Sequence, residues 1–215
     1  MAFFDFLFPP RGDEAALRAL SDDEFLALMR PRLVPETRPG TAALLPFSEG
    51  CVRSAIHEAK YHGSERAFSL LALALAEYLR DSDEGRLTSL RQELIIVPVP
   101  LGKARLKERG FNQVEEIARH AAAQLGGVRV ESKLLIRTRE TLSQVSLPRQ
   151  EREENMRGAF SVHPAKLEER SGIELSNATL ILLDDVITTG ATLQATIDAL
   201  RAAGAEHVLP LALAH

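Results

Sequence analysis

Two adjacent carboxylates, Asp184 and Asp185, are the side chains whose type and position best suggest chemistry in this chain. They directly follow an apolar run, residues 180–183, which predicts a buried strand of a parallel sheet. A short polar loop follows at residues 188–192, and an amphipathic helix begins at once. In an open α/β sheet this order places the acids and the loop at the carboxyl edge of the strand, where ligands bind.

The polar loop has the composition of an anion site. The first turn of a helix offers N–H groups without helical partners and about half a positive charge, which suits a phosphate. Gly190 lets the backbone approach that anion closely, and threonine hydroxyls add hydrogen-bond donors. The predicted phosphate site therefore consists of Thr188, Thr189, Gly190, Ala191 and Thr192.

The carboxylate pair suits a different part of the same ligand. Carboxylates repel phosphate, but they accept hydrogen bonds from vicinal hydroxyls and bind hydrated Mg²⁺. A ligand with a phosphate at one end and a diol or metal nearby is indicated, and a 5-phosphoribosyl group fits. Two alternatives are loop polarity before a capped helix and the acidic strand of an NTPase. The NTPase needs a Gly-rich loop, yet Val97 stands where the first glycine before Gly102-Lys103 belongs.

The rest of the chain predicts the elements that would position these residues. Strands are predicted at residues 94–97, 128–130, 134–137, 158–162, 180–183 and 208–213, the last at an edge or bent because it contains Pro210. Two helices are predicted after Val52, and another from an Asn112 cap, with Glu115 as capping-box partner, to Leu125. Prolines 31, 35, 39 and 46 predict an irregular stretch. The alternation favours an α/β fold: a twisted, mostly parallel sheet of about five strands flanked by helices.

Residues 180–192 resemble the PRPP-binding signature of type I phosphoribosyltransferases. Further blocks within about residues 56–214 resemble the ComF family, phosphoribosyltransferase-like proteins associated with DNA uptake in natural competence. The blocks are Lys60-Tyr61, residues 97–101, residues 109–113 and the spaced set Arg137, Thr141, Gln144, Leu147, Arg152, Asn155, Gly158, Ala159 and Phe160. The resemblance implies the type I phosphoribosyltransferase fold, with residues 91–215 as the core and residues 1–90 as an N-terminal appendage and helical hood.

The resemblance also implies roles for the remaining residues. Asp184 and Asp185 would be the catalytic carboxylates and hold Mg²⁺ with the ribose hydroxyls. The other sets are the pyrophosphate side (Val99, Pro100, Leu101, Arg105 and Arg109), a flexible loop (Arg137, Arg139, Gln144 and Arg152) and the acceptor side (Lys60 and Tyr61). The guanidinium fork of arginine matches phosphate oxygens, which supports Arg105 or Arg109 independently of the resemblance. Residues 138–156 lack an apolar face, as expected of a lid.

The expected activity is displacement of pyrophosphate from PRPP with Mg²⁺, associated with DNA uptake and natural competence. The alternative is a non-catalytic PRPP-binding or DNA-processing accessory protein in transformation, whose partners would be other competence proteins. The acceptor stays open. A net charge of −4 and a pI near 5.9 argue against direct nucleic-acid binding. No apolar run nears the roughly 18 residues that span a bilayer, so we expect a cytoplasmic protein without a membrane span.

Cysteine and histidine usage predicts no zinc. The single cysteine, Cys51, excludes an internal disulfide and a multi-cysteine zinc site, and we expect it to be a small buried residue. Many ComF proteins carry an N-terminal module of paired cysteines that this chain lacks. His57 and His62 are five residues apart, a spacing that predicts different helical faces. The N-terminal apolar residues Phe3, Phe4, Phe6, Leu7 and Phe8 are expected to fill a core groove or a homodimer contact.

Overall fold

The computed structural model describes residues 12–82, 93–139, 156–166 and 173–215. The helices are α1 (Gly12–Ala19), α2 (Asp22–Leu26), α3 (Gly50–His62), α4 (Glu65–Ser82), α5 (Lys103–Arg109), α6 (Gln113–Leu125) and α7 (Ala191–Ala202), with a 3-10 turn at Pro164–Lys166. The strands are β1 (Arg32–Val34), β2 (Thr41–Leu45), β3 (Leu94–Pro98), β4 (Val128–Val130), β5 (Leu135–Arg137), β6 (Phe160–Val162), β7 (Thr179–Val186) and β8 (His207–Ala214).

The main sheet has the strand order β1-β2-β8-β7-β3-β4, and a separate ribbon pairs β5 with β6. Strands β2, β8, β7, β3 and β4 run parallel, while β1 joins β2 in the antiparallel direction. The described residues therefore confirm the α/β class and the mostly parallel sheet, with an additional antiparallel strand at one edge. Within these residues, no helix is long and apolar enough to cross a membrane.

Strand β7 lies in the interior of the sheet, and its side chains point alternately toward the helical layers on the two faces of that sheet. Ile181 and Leu183 face the layer that contains α4 and α6, whereas Leu180 and Leu182 face α7. All four are inaccessible to solvent, as the apolar run predicts, and each large aliphatic side chain contributes about 1.5–3 kcal/mol when fully buried. The periodic stripes of α4, α6 and α7 pack on these faces and explain why the helices form there.

The register of the central strands sets the position of the site. Pro98 of β3 pairs with Leu183 of β7, so both strands reach the same edge of the sheet together. The next residues along each strand are Val99 and Asp184. Two segments distant in sequence therefore meet at one carboxyl edge, as expected for ligand binding in such sheets.

Two local predictions are wrong, and one of two alternatives for a third is excluded. Strand β8, predicted at an edge or bent, is not at an edge, because it lies between β2 and β7. Its pairing with β2 begins at Ala42 and Leu211, one residue past Pro210, so the proline lies where β8 has a strand partner on one side only. Glu115 does not complete a capping box, since it pairs with Arg119. The proline-rich stretch forms β1 and β2.

Other predictions fall outside the described residues. These are the phenylalanine-rich segment at residues 3–8 and most of the predicted lid, including Gln144 and Arg152. The division of the chain at residue 90 stays a prediction, although β1 and β2, from the N-terminal side of that division, belong to the main sheet. Cys51 is only partly buried, contrary to expectation, because it lies in the first turn of α3.

Candidate functional site

A cleft of about 170 Å³ lies at the carboxyl edge of β3 and β7. Its walls come from the loop after β7, the turn after β3, and side chains of α3, α5, α6 and β5. The lining residues are Lys60, Val99, Pro100, Leu101, Arg105, Arg109, Gln113, Val114, Arg137 and residues 184–193. One cleft thus contains both predicted carboxylates, the whole predicted phosphate loop and all five predicted pyrophosphate-side residues.

Gly190 shapes the loop after β7. It precedes α7 with a φ of 72°, a left-handed conformation that favours glycine. A Cβ here would also lie 2.9 Å from the Thr37 side chain and 3.0 Å from the carbonyl oxygen of Glu36, which belong to the β1–β2 turn. A hydrogen bond links the same turn to α7: the Arg38 N–H donates to Gln194 Oε1 at 2.7 Å. Gly190, predicted to let the backbone approach an anion, is thus also required for close packing against the β1–β2 turn.

Asp185 is held by two side chains from different helices. The Lys60 ammonium lies 3.0 Å from its Oδ1, and the Gln113 amide donates to its Oδ2 at 2.5 Å. The Asp185 residue is only 8% exposed, so both of its carboxylate oxygens are engaged in a nearly buried setting. Breaking such a pair leaves a buried charge without compensation, which is costly. Lys60, predicted on the acceptor side, therefore contacts the carboxylate pair directly.

Asp184 has a different environment. Burial, reinforced by the neighbouring charge of Asp185, raises its pKa from 3.8 to about 7. The Asp185 N–H, which donates to Asp184 Oδ1 at 2.8 Å, opposes this shift, as do Lys60 and Arg105 at longer range. The two carboxylates are therefore not equivalent: Asp185 is neutralised by an ion pair, while the charge of Asp184 is poorly compensated.

The turn after β3 is anchored on both sides of Val99. The Val99 N–H donates to the Leu183 carbonyl at 2.9 Å, and the Val99 carbonyl accepts from the Asn112 side chain at 3.0 Å. Pro100 has no N–H, so the N–H of Leu101 is the backbone donor of this turn that these bonds do not use. Within residues 99–101, predicted on the pyrophosphate side, the Leu101 N–H is therefore the backbone group that could donate to an anion, next to Arg105 and Arg109.

The arginines are distributed unevenly around the cleft. Arg109 donates to Gln113 Oε1 at 2.9 Å and lies over the Tyr61 ring, 5.1 Å from its centroid. Arg105 is exposed on α5, a helix without buried residues. Arg137 lines the cleft and lies 5.5 Å from the centroid of the Phe160 ring.

Two predicted site residues lie beside the cleft rather than in its wall. Tyr61 is 56% exposed and reaches the site through Arg109. Arg139 is exposed and donates to the Arg157 carbonyl at 3.1 Å. Arg137 and Arg139 are two residues apart, a spacing that places side chains on the same face within a strand. Arg139 lies beyond the end of β5, so this rule does not bring it into the cleft with Arg137.

Gln113 is the site residue that the sequence analysis missed. It is 2% exposed and links Arg109 to Asp185, so the chain Arg109–Gln113–Asp185–Lys60 joins four elements, α5, α6, β7 and α3. The available signals were its place in the block of residues 109–113 and its position directly after the Asn112 cap, where a helix begins. An uncharged amide at such a position is common in surface helices and gives no separate indication of burial.

Comparison with known proteins agrees with this geometry. The family described as "Phosphoribosyl transferase domain" matches residues 106–213, which include Arg109, Gln113, the carboxylate pair and the phosphate loop. The chain is also 32% identical over 136 residues to "Competence protein F" of Haemophilus influenzae. That alignment covers 63% of this chain and 56% of the relative, so the chain spans little more than half the length of that protein.

Proposed function

Because the chain belongs to the phosphoribosyl transferase domain family, we propose that it binds PRPP in this cleft and displaces pyrophosphate from C1 of the ribose. The observation that carries the proposal is the shared cleft itself. It combines a carboxylate pair, a hydroxyl-rich loop at a helix start and three arginines from two elements, α5 and β5. PRPP requires these same groups: anion sites at two ends and carboxylates for the diol between them.

The donor set of the cleft fits Mg²⁺. Carboxylate and hydroxyl oxygens are the ligands that this cation prefers, and it commonly uses one or two carboxylates together with substrate phosphates. Lys60 already compensates Asp185, so Asp184 is the carboxylate whose charge a cation would stabilise most. When bound with substrate, Mg²⁺ would neutralise negative charge on the departing pyrophosphate.

Different groups of the cleft would bind the different parts of PRPP. The loop of residues 188–192 would hold the 5′-phosphate, while Arg105, Arg109 and the Leu101 N–H would face the pyrophosphate. Glycosyl transfer develops positive charge on the sugar ring, and ionised Asp184 and Asp185 would stabilise that charge and accept bonds from the 2′- and 3′-hydroxyls. Lys60 and Gln113 would keep Asp185 in a fixed orientation.

Calorimetric titration with PRPP, with and without Mg²⁺, tests the binding step. We expect the double variant Asp184→Asn with Asp185→Asn to weaken binding by several kcal/mol, because each charged hydrogen bond contributes about 1.5–3 kcal/mol. Asp198→Asn is the matched control, since Asp198 is an exposed acid on α7 outside the lining of this cleft. Equal affinity in the double variant and the control would refute the assignment.

A second candidate function is PRPP binding without chemistry, in an accessory role in transformation. The similarity to a protein named for competence supports this candidate, and a phosphoribosyltransferase fold alone does not establish turnover. Release of pyrophosphate, measured against a panel of nucleobases and other amines, separates the two. Release with any acceptor favours the transferase, whereas tight PRPP binding without release favours the accessory role.

A further inference from the structure

We propose that His57, Glu58 and His62, in the last turns of α3, form a binding site for a transition-metal ion, Zn²⁺ in the first instance. One ligand atom from each of the three side chains lies within 4.8 Å of the other two. These residues do not line the cleft at the sheet edge, and the proposal does not depend on the function proposed for that cleft.

Side chains in the last turns of α3 come together although the two histidines are five residues apart in sequence. Glu58 and His62 are four residues apart and share a helical face, with His62 Nε2 3.9 Å from Glu58 Oε1. His62 is the last residue of α3 and is followed by left-handed Gly63. The His57 and His62 ring centroids are only 5.5 Å apart. The spacing predicts different helical faces for the two histidines, but the reach of their side chains brings the two rings together.

The donor set has the chemistry of a zinc site. Two imidazoles and one carboxylate are a common set of three protein ligands for Zn²⁺, with a fourth position left for water or another group. The Glu58 side chain is 1% exposed and is therefore held in place, while the imidazole side chains of His57 and His62 are 51% and 30% exposed and can rotate to the shorter metal distances.

Asp13 of α1 extends this arrangement. Its Oδ2 lies 4.0 Å from His57 Nδ1, and its Oδ1 accepts from the Ser54 hydroxyl at 2.8 Å. A carboxylate next to a metal-binding histidine orients the ring and raises its basicity. A metal at this site would therefore fasten α1 to α3, the helix that carries Lys60.

Zinc titration of the full chain, freed of metal by a chelator, tests the proposal. We expect one Zn²⁺ per chain, and at least tenfold weaker binding in His57→Ala and in His62→Ala. Both imidazoles are partly exposed, so these variants should fold, which circular dichroism would verify. His207→Ala is the matched control, because His207 is an exposed histidine at the start of β8, and its affinity for zinc should be unchanged.

The cysteine of the same helix supplies a second control. Cys51→Ser should bind zinc as the unchanged protein does, and the Co²⁺-loaded protein should show tetrahedral visible absorption without a thiolate charge-transfer band. Absence of stoichiometric zinc binding would overturn the proposal. So would undiminished affinity in both histidine variants, or loss of binding in Cys51→Ser, which would transfer the site to the thiol.

Discussion

The loop after β7 and the last turns of α3 both supply the cleft, but they are held in place differently. The loop is positioned by backbone contacts: it leaves an interior strand, turns at Gly190 against the β1–β2 turn and begins α7. The α3 residues act through long side chains, since Lys60 reaches Asp185 and Tyr61 lies beneath Arg109. The loop after β7 therefore provides fixed backbone dipoles, whereas α3 provides side chains held by contacts with charged partners.

This difference separates two properties of the site. The phosphate end depends on local geometry that a short sequence motif can encode. The charge balance at the carboxylates depends on contacts among α3, α6 and β7, because Lys60 and Gln113 compensate Asp185 but leave Asp184 with a raised pKa. Perturbing each region should therefore produce different effects on stability and on ligand affinity.

The largest expected effect distinguishes the two neighbouring carboxylates. Asp184→Asn removes a poorly compensated charge, so it should raise the free energy of unfolding at pH 8 by a few kcal/mol. Asp185→Asn should lower it, because Lys60 and Gln113 lose an ionised partner. Denaturant unfolding of both variants measures the contrast. Changes of the same sign would show that the two carboxylates share one environment.

The pH dependence of the Asp184→Asn effect follows from the direction of the pKa shift. Below the ordinary pKa of 3.8, Asp184 is protonated in both the folded and unfolded states. Between 3.8 and about 7 the unfolded state loses the proton first, so stability falls as pH rises through this window. The stabilising effect of Asp184→Asn should therefore be small near pH 4 and fully developed above pH 7.

The next effect concerns the backbone of the loop. Gly190→Ala should lower the free energy of unfolding by about 2 kcal/mol or more, because left-handed alanine costs roughly 1–2 kcal/mol and its Cβ would press on Glu36 and Thr37. Gly204→Ala is the matched control: Gly204 has a φ of 95°, and a Cβ there would meet nothing within 4 Å. Equal losses in both variants would show that the β1–β2 turn contributes no crowding.

The central fold and the contiguous part of the site were predictable from sequence. The apolar run before Asp184 indicated an interior strand, and the polar loop indicated a helix start, because both signals are local. The arrival of the β3 turn at the same edge was implied by parallel pairing, and the register of Pro98 with Leu183 agrees with it. Local periodicity was therefore enough to predict most of the architecture.

The remaining features depend on tertiary contacts that leave no periodic signal. Thr41–Leu45 became an interior strand although prolines flank it, because β8 offered an unpaired edge. Gln113 is polar yet buried, since two charged partners from other elements satisfy its amide. The proximity of the His57 and His62 rings, 5.5 Å between centroids, depends on the conformations of two long side chains, which residue spacing alone does not encode.

A smaller effect tests the charge balance from the α3 side. Lys60→Met keeps most of the side-chain volume but removes the charge next to Asp185, so we expect a loss of about 1–2 kcal/mol of folding stability. The same change should be nearly neutral when Asp185 is already asparagine, because the interaction is then absent. Lys107→Met on the exposed side of α5 is the control for loss of a surface charge. If the stability losses of Lys60→Met and Asp185→Asn were additive, the Lys60–Asp185 ion pair would not account for the effect of Lys60→Met.

The smallest expected effect concerns the contact between Arg109 and Tyr61. Their geometry, 5.1 Å from guanidinium to ring centroid, predicts a cation–π coupling of about 0.5–1 kcal/mol, since Tyr61 is largely exposed. A double-mutant cycle of Arg109→Gln and Tyr61→Leu measures it directly. The cycle should be repeated with PRPP bound. If Arg109 turns toward pyrophosphate, the coupling to Tyr61 should fall while the effect of Arg109→Gln on affinity exceeds its effect on stability. A coupling that is unchanged by ligand would instead assign Arg109 to holding α3 against α5.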